Sequence, residues 1–110
     1  MIDLNYEKNI TFIADHYGET EQLIQTAEEC SELSRAALKL RRAYADPDAD
    51  AETLRSSVAA LYGEIADVLI MCEQLMYLEG CGGDVMRIVG EKLARQMERI
   101  KAGNGQEVSG

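Results

Sequence analysis

Basic residues are scarce in this chain: eleven Lys and Arg stand against twenty Asp and Glu, a net charge of −9. That excludes non-specific binding to nucleic acid or to an anionic membrane. It leaves cation binding or plain solubility as what the acidity serves. Cysteine is equally thin. Cys30, Cys72 and Cys81 are an odd number without a C-x-x-C pair, which speaks against a disulfide framework or a zinc knuckle and for thiols that act as small packing residues. The opening "MIDLNYEKNI" has no apolar core and no basic flank, so it does not read as a secretory leader, and a reduced, cytoplasmic setting is expected. No apolar run is long and unbroken enough for a membrane span. Proline occurs once and aromatics make up 5%, and no segment alternates with period two. What is left is an all-α chain.

Its helices can be placed from spacing and punctuation. Residues 4–16 suit a short first helix, ended by Gly18. Thr20 is the expected N-cap of a long helix over 21–43, with Leu23, Ile24, Leu33, Leu38 and Leu40 recurring at helical spacing. "RRAYADPDADAE" carries the only proline and reads as an exposed connection. A second long helix is expected over 51–78, stopped by "EGCGGD", and a last one over 83–101 with Val85, Ile88, Val89, Leu93, Met97 and Ile100 on its apolar side. Together these predict one antiparallel bundle over 1–102 and a flexible tail over 103–110. Met71, Met76, Met86 and Met97 fall at apolar positions and are assigned to the core or a subunit interface.

Two stretches break the pattern of an ordinary core. "LYGEIADVLIMCEQLM" (61–76) is almost wholly apolar yet holds Glu64 and Asp67, three apart and so on one helix face. In "AEECSELSRAAL", Glu28, Glu29 and Glu32 stand at spacings of three and four. Read alone, the second is a common solvent-edge pattern. The first is not, and the two together on neighbouring helices call for a compensating cation. Two unit charges about 4 Å apart repel by roughly 4 kcal/mol at an effective dielectric near 20. The lone His16 lies away from both clusters, and the Glu-x-x-His of di-iron bundles is absent. An all-carboxylate set suits Mg²⁺ or Mn²⁺, ions that keep waters and recruit substrate phosphates.

"EECSE" followed by "EIAD" resembles the EExxE…ExxD signature of the MazG-like, all-α nucleoside triphosphate pyrophosphohydrolases. That superfamily also includes dimeric dUTPases and phosphoribosyl-ATP pyrophosphatase. The resemblance spans roughly residues 16–101, and "HYGETEQLIQTAEECSEL" and "GEIADVLIMCEQL" are similar to small stand-alone bacterial and phage members. One departure is the stretch from Leu33 to Gly63, longer than the family's usual spacer. The "YADPDADAE" connection accounts for it as a longer loop, a thermodynamically cheap change.

The resemblance implies a Mg²⁺-dependent enzyme that cleaves a nucleoside triphosphate to the monophosphate and pyrophosphate. Glu29, Glu32, Glu64 and Asp67 would be the metal ligands, with Glu28, Glu29 and Glu32 as the catalytic carboxylates and Glu28 supporting the others or positioning water. Lys92, Arg95 and Arg99, with Gln96 as an uncertain neighbour, resemble triphosphate contacts, though a solvated basic face closing a helix reads equally well. Gln22 could touch a base or sugar edge, or be an ordinary surface residue; His16 and Tyr17 fit loop packing better than a nucleoside pocket. Assembly as a homodimer or tetramer is implied as well, and helices apolar on more than one side agree with it. The competing readings are a non-catalytic helical partner-binding module and a phosphoribosyl-ATP pyrophosphatase.

Overall fold

Gly18 separates the first two helices, and it does so with φ +83°, a backbone state that a residue with a Cβ rarely adopts. The computed structural model describes residues 5–107, with side chains described through residue 103. All the described elements are helices: α1 (Tyr6–Tyr17), α2 (Glu19–Ala45), α3 (Ala51–Glu79) and α4 (Gly82–Glu107). The fold class is all-α, as the missing period-two alternation requires. None of these helices is long and apolar enough to cross a membrane.

The helix ends show which local signals decide. The Gly18 N–H donates to the Ala14 carbonyl at 2.9 Å and the Gln22 N–H to the Gly18 carbonyl at 3.0 Å, so one residue closes α1 and opens α2. Thr20, expected as the N-cap, instead lies inside the first turn, and no side chain caps this end. The acidic connection keeps its carboxylates occupied locally. Asp46 Oδ1 accepts from the Asp48 N–H at 2.9 Å, and Asp50 Oδ1 accepts from the Thr53 N–H at 2.7 Å. Asp50 thereby caps α3. The Thr53 amide holds the Asp50 carboxyl below its ordinary value of 3.8. A depressed folded pKa means stability that is present above the unfolded value and lost as pH falls through the folded one. We therefore expect Asp50→Ala to lower the melting temperature by a few degrees at neutral pH, with the gap to wild type closing below about pH 4, as a melting series in pH would read.

The chain divides into two compact units, residues 1–79 and residues 80–110. In the first, α2 and α3 run along one another as an antiparallel hairpin closed by the five residues 46–50, and α1 packs on both, chiefly on α3. Ile10, Ala14, Ala36, Leu40 and Met71 are its buried apolar residues. Two of these are alanines, small enough to let helix backbones approach. Tyr77 Oη donates to Asp15 Oδ2 at 2.8 Å and ties α3 to α1 across 62 residues of chain. Leu23, Ile24 and Leu38, expected on the inward stripe of α2, are each more than half exposed. Cys30 and Cys72 are exposed rather than packed, and Cys81 is half-buried. Met71 alone of the four methionines is fully buried.

The second unit contains α4, which opens on a bond from the Val85 N–H to the Cys81 carbonyl at 2.9 Å. The helix was expected to end near 101 but runs to Glu107, through Gly103 and Gly105. Each glycine costs a helix about 1 kcal/mol relative to alanine, too little to end one already formed. Of the tail expected at 103–110, residues 108–110 lie outside the described residues. Ile88, Val89, Leu93, Met97 and Ile100 form the apolar side as the spacing predicts, and all are exposed.

Candidate metal centre

The hairpin sets the register of the site. Glu29 lies 46 − 29 = 17 residues before the connection starts at Asp46, and Asp67 lies 67 − 50 = 17 residues after it ends at Asp50. Two helices of equal rise, antiparallel from a common turn, bring such residues opposite one another. Glu64 sits one turn from Asp67 on the same face. Glu29, Glu64 and Asp67 accordingly converge: each offers a carboxylate oxygen, and these oxygens all lie within 4.8 Å of one another. Glu29 and Glu64 are half-buried and Asp67 is exposed, so the group has one open side.

Electrostatically the group is strained. The Glu29 carboxyl is held above its ordinary value, first by burial, then by the charges of Asp67 and Glu64; the Gln25 side chain works against this. Gln25 Nε2 donates to Glu29 Oε1 at 2.9 Å. Glu64 Oε1 is buried and has no hydrogen-bond partner among the described residues. A buried, unpartnered carboxylate oxygen is costly in a protein that has no use for it. The donor set is all oxygen, it converges from two helices, and it leaves room for waters, as a hard divalent cation requires. The residues present fit such an ion.

The remaining expected site residues fall elsewhere. Glu28 and Glu32 lie on the flank of α2 beside Arg35, both exposed, and neither belongs to the converging group. Glu28 stands about 100° round the helix from Glu29, which takes it off the facing line; Glu32 has the same three-residue offset as Glu64 from Asp67, yet its carboxylate stays on the Arg35 side. Lys92, Arg95 and Arg99 share one stripe of α4 with Gln96, around a hollow of about 120 Å³. The ion pairs among the described residues are Arg55–Glu52 and Arg87–Glu91, so these three cations are uncommitted.

Gln22 is buried at 3% exposure rather than a surface residue. It lines a cavity of about 420 Å³ between α1, α2 and α3, whose apolar wall is Ile13, Tyr17, Ile70 and Met71. Glu21, Gln25 and Gln74 supply the rest of the lining. His16 meets Tyr17 edge to face, ring centroids 4.7 Å apart, and does not itself line the cavity. Gln74 faces Gln22 by the same register, 74 − 50 = 24 residues after the turn and 46 − 22 = 24 before it. Sequence reading missed Gln25 and Gln74. The signal was present: Gln25 and Gln22 stand four and seven residues before Glu29, and Met71 and Gln74 four and seven after Asp67, so each glutamine continues the face of a carboxylate. No family model matches the chain, and no curated protein or solved structure matches it either.

Proposed function

We propose that this protein is a Mg²⁺-dependent nucleoside triphosphate pyrophosphohydrolase of the MazG-like kind, releasing a nucleoside monophosphate and pyrophosphate. The observation that carries the reading is the convergence of Glu29, Glu64 and Asp67, with oxygens within 4.8 Å of one another and one Glu64 oxygen buried and unpartnered among the described residues. All three belong to the two sequence motifs, which stand on α2 and α3. Glu29, Glu64 and Asp67 would hold the ion, with Glu32 as a further ligand from the flank. A divalent cation bound there supplies charge neutralisation and polarisation of a phosphoryl oxygen, and eases ionisation of bound water.

The chain's own residues do the rest. Gln25 fixes the Glu29 carboxylate through its 2.9 Å bond, which sets the direction of the free lone pairs. Glu28, one residue from Glu29 and exposed, is the carboxylate left to orient or deprotonate a water. The MazG-like resemblance implies Lys92, Arg95 and Arg99, on α4, as the phosphate contacts; guanidinium groups suit bidentate contact with phosphate oxygens. The protein acts as a homodimer or a tetramer in the cytoplasm. Support for assembly comes from the large apolar side chains left in water, among them Phe12, Leu23, Leu69 and Leu93, more than a small soluble protein leaves scattered.

A panel of ribo- and deoxyribonucleoside triphosphates, with product analysis, tests this. We expect pyrophosphate from at least one nucleotide with Mg²⁺ or Mn²⁺, and none in EDTA. Orthophosphate as the primary product, or undiminished activity in EDTA, would overturn it. Absence of any hydrolysis would favour the non-catalytic module.

A further inference from the structure

The cavity beside the carboxylate group has a polarity of its own. Gln74 is 2% exposed, and its Oε1 is buried without a hydrogen-bond partner among the described residues. A buried carbonyl oxygen left unpaired is worth explaining, because native interiors pair nearly all such groups. The other polar groups of the lining have the same sense. Glu21 offers only acceptors when ionised. Gln25 has committed its Nε2 to Glu29, which leaves its oxygen as the group open to a ligand. Among the described residues no cationic side chain lines the cavity, so it does not suit phosphate. Its walls are apolar, with the Tyr17 ring among them, and about 420 Å³ lies within the usual range for a small-molecule site.

We infer that this cavity is a nucleobase pocket in which Gln74 selects bases bearing an exocyclic amino group over their oxo counterparts. An amino group brings N–H donors to the unpaired oxygen. With the Gln74 amide oriented as in the structure, an oxo group in the same place would set acceptor against acceptor, and that is the kind of mismatch a hydrogen-bonding site rejects most strongly. Tyr17 offers its ring to one face of the base, and Gln22, buried across the hairpin from Gln74, offers a second amide. The inference rests on the reading of the carboxylate group as a triphosphate-processing site, since Gln25 belongs to both the cavity lining and the Glu29 contact.

The test uses nucleosides, which have no phosphate and need no metal. Cytidine is compared with uridine, and adenosine with inosine; within each pair an amino group is exchanged for an oxo group. Each is titrated into ¹⁵N-labelled protein without Mg²⁺, following the glutamine side-chain amides. We expect at least one amino nucleoside to shift the Gln74 and Gln22 amide signals and to bind about tenfold tighter than its oxo partner, the worth of one well-made hydrogen bond. Gln74→Met keeps the side-chain length, and we expect it to erase the difference within each pair. A melting curve checks that this variant folds; should it not, the wild-type pairs decide alone. Equal affinities within both pairs, absence of shifts at these amides with every nucleoside, or a folded Gln74→Met that discriminates like wild type would overturn the assignment. Selective nucleoside binding without pyrophosphate release would sink the catalytic reading and leave the pocket standing. Pyrophosphate release without selective binding would do the reverse.

Discussion

Glu64→Gln is expected to reduce pyrophosphate release by at least about a hundredfold while leaving the metal-free protein as stable as wild type, or more so. Loss of a group that merely supports a metal ligand costs roughly 10- to 100-fold in affinity or activity, and Glu64 is proposed as a ligand itself. The substitution keeps the shape of the side chain and removes its charge. In the metal-free fold that charge stands among two other carboxylates, with one oxygen buried and unpaired. Its removal therefore relieves repulsion instead of breaking a bond. A residue held for structural reasons would behave the other way, losing stability and sparing activity. Glu28→Gln is the companion measurement: it deletes the same charge one residue from Glu29, outside the converging group. With Glu28 orienting water, its loss should lower turnover but preserve the response to Mg²⁺. Glu64→Gln should abolish that response. Retention of full activity in Glu64→Gln would remove the metal centre from the mechanism.

How much of this the sequence made legible depends on the kind of information involved. Helix boundaries came from punctuation, and punctuation was reliable where backbone geometry forces it. Gly18 must end α1 because its φ is positive, and the Pro47 segment separates two helices. It was unreliable where the signal was only a preference. Thr20 is a good N-cap residue, yet the helix started two residues earlier, behind a glycine. Gly103 and Gly105 are poor helix residues, yet α4 passes through them.

The carboxylates divide along the same line. Glu64 and Asp67 were conspicuous because they interrupt an apolar run, and an interruption of that kind needs a reason. Glu29 and Glu32 look equivalent within EExxE, and periodicity alone cannot rank them. The convergence of the oxygens does: Glu29 joins Glu64 and Asp67 and Glu32 does not, although the count from the turn sets Glu32 level with Glu64 just as it sets Glu29 level with Asp67. Counting outward from the connection would also have paired Gln22 with Gln74. That count needs the connection's ends to be known to within a residue or so, which sequence signals at an exposed loop do not provide. The exposure of Leu23, Ile24 and Leu38 was not legible at all, since an apolar stripe reads the same whether it meets its own chain or a second one.

The melting behaviour of the metal-free and Mg²⁺-loaded protein should separate Glu29 from its neighbours most sharply. Burial and the nearby Asp67 and Glu64 charges raise the Glu29 pKa above 4.5. For a carboxylate with a raised folded pKa, the native state binds more protons than the unfolded one between the two values. Its stabilising contribution is complete below about 4.5 and is lost as pH rises through the folded value. Metal-free wild type should thus gain stability from this group as pH is lowered from neutral towards 4.5. The Asp50 cap weakens only below its ordinary value of 3.8, so the two effects occupy different windows. Lowering the pH also relaxes the overall charge of −9, a contribution common to every variant that removes one carboxylate. The informative quantity is therefore the difference between Glu29→Gln and Glu28→Gln, which carry equal net charge. Glu29→Gln should show the flatter pH dependence and the higher metal-free melting temperature at neutral pH. Mg²⁺ acts by linkage: at a hundred times its dissociation constant, an ion bound only by the folded state adds about 2.7 kcal/mol. At roughly 4–8 °C per kcal/mol for a domain of this size, wild type should melt about 10–20 °C higher. Glu28→Gln should follow it, and Glu29→Gln should gain little. Glu32→Gln then decides whether the flank carboxylate joins the ion: a reduced gain makes it a ligand, and a full one leaves the three converging carboxylates as the whole protein contribution. If Mg²⁺ raises Glu29→Gln as far as wild type, the convergence of these carboxylates is not a metal site.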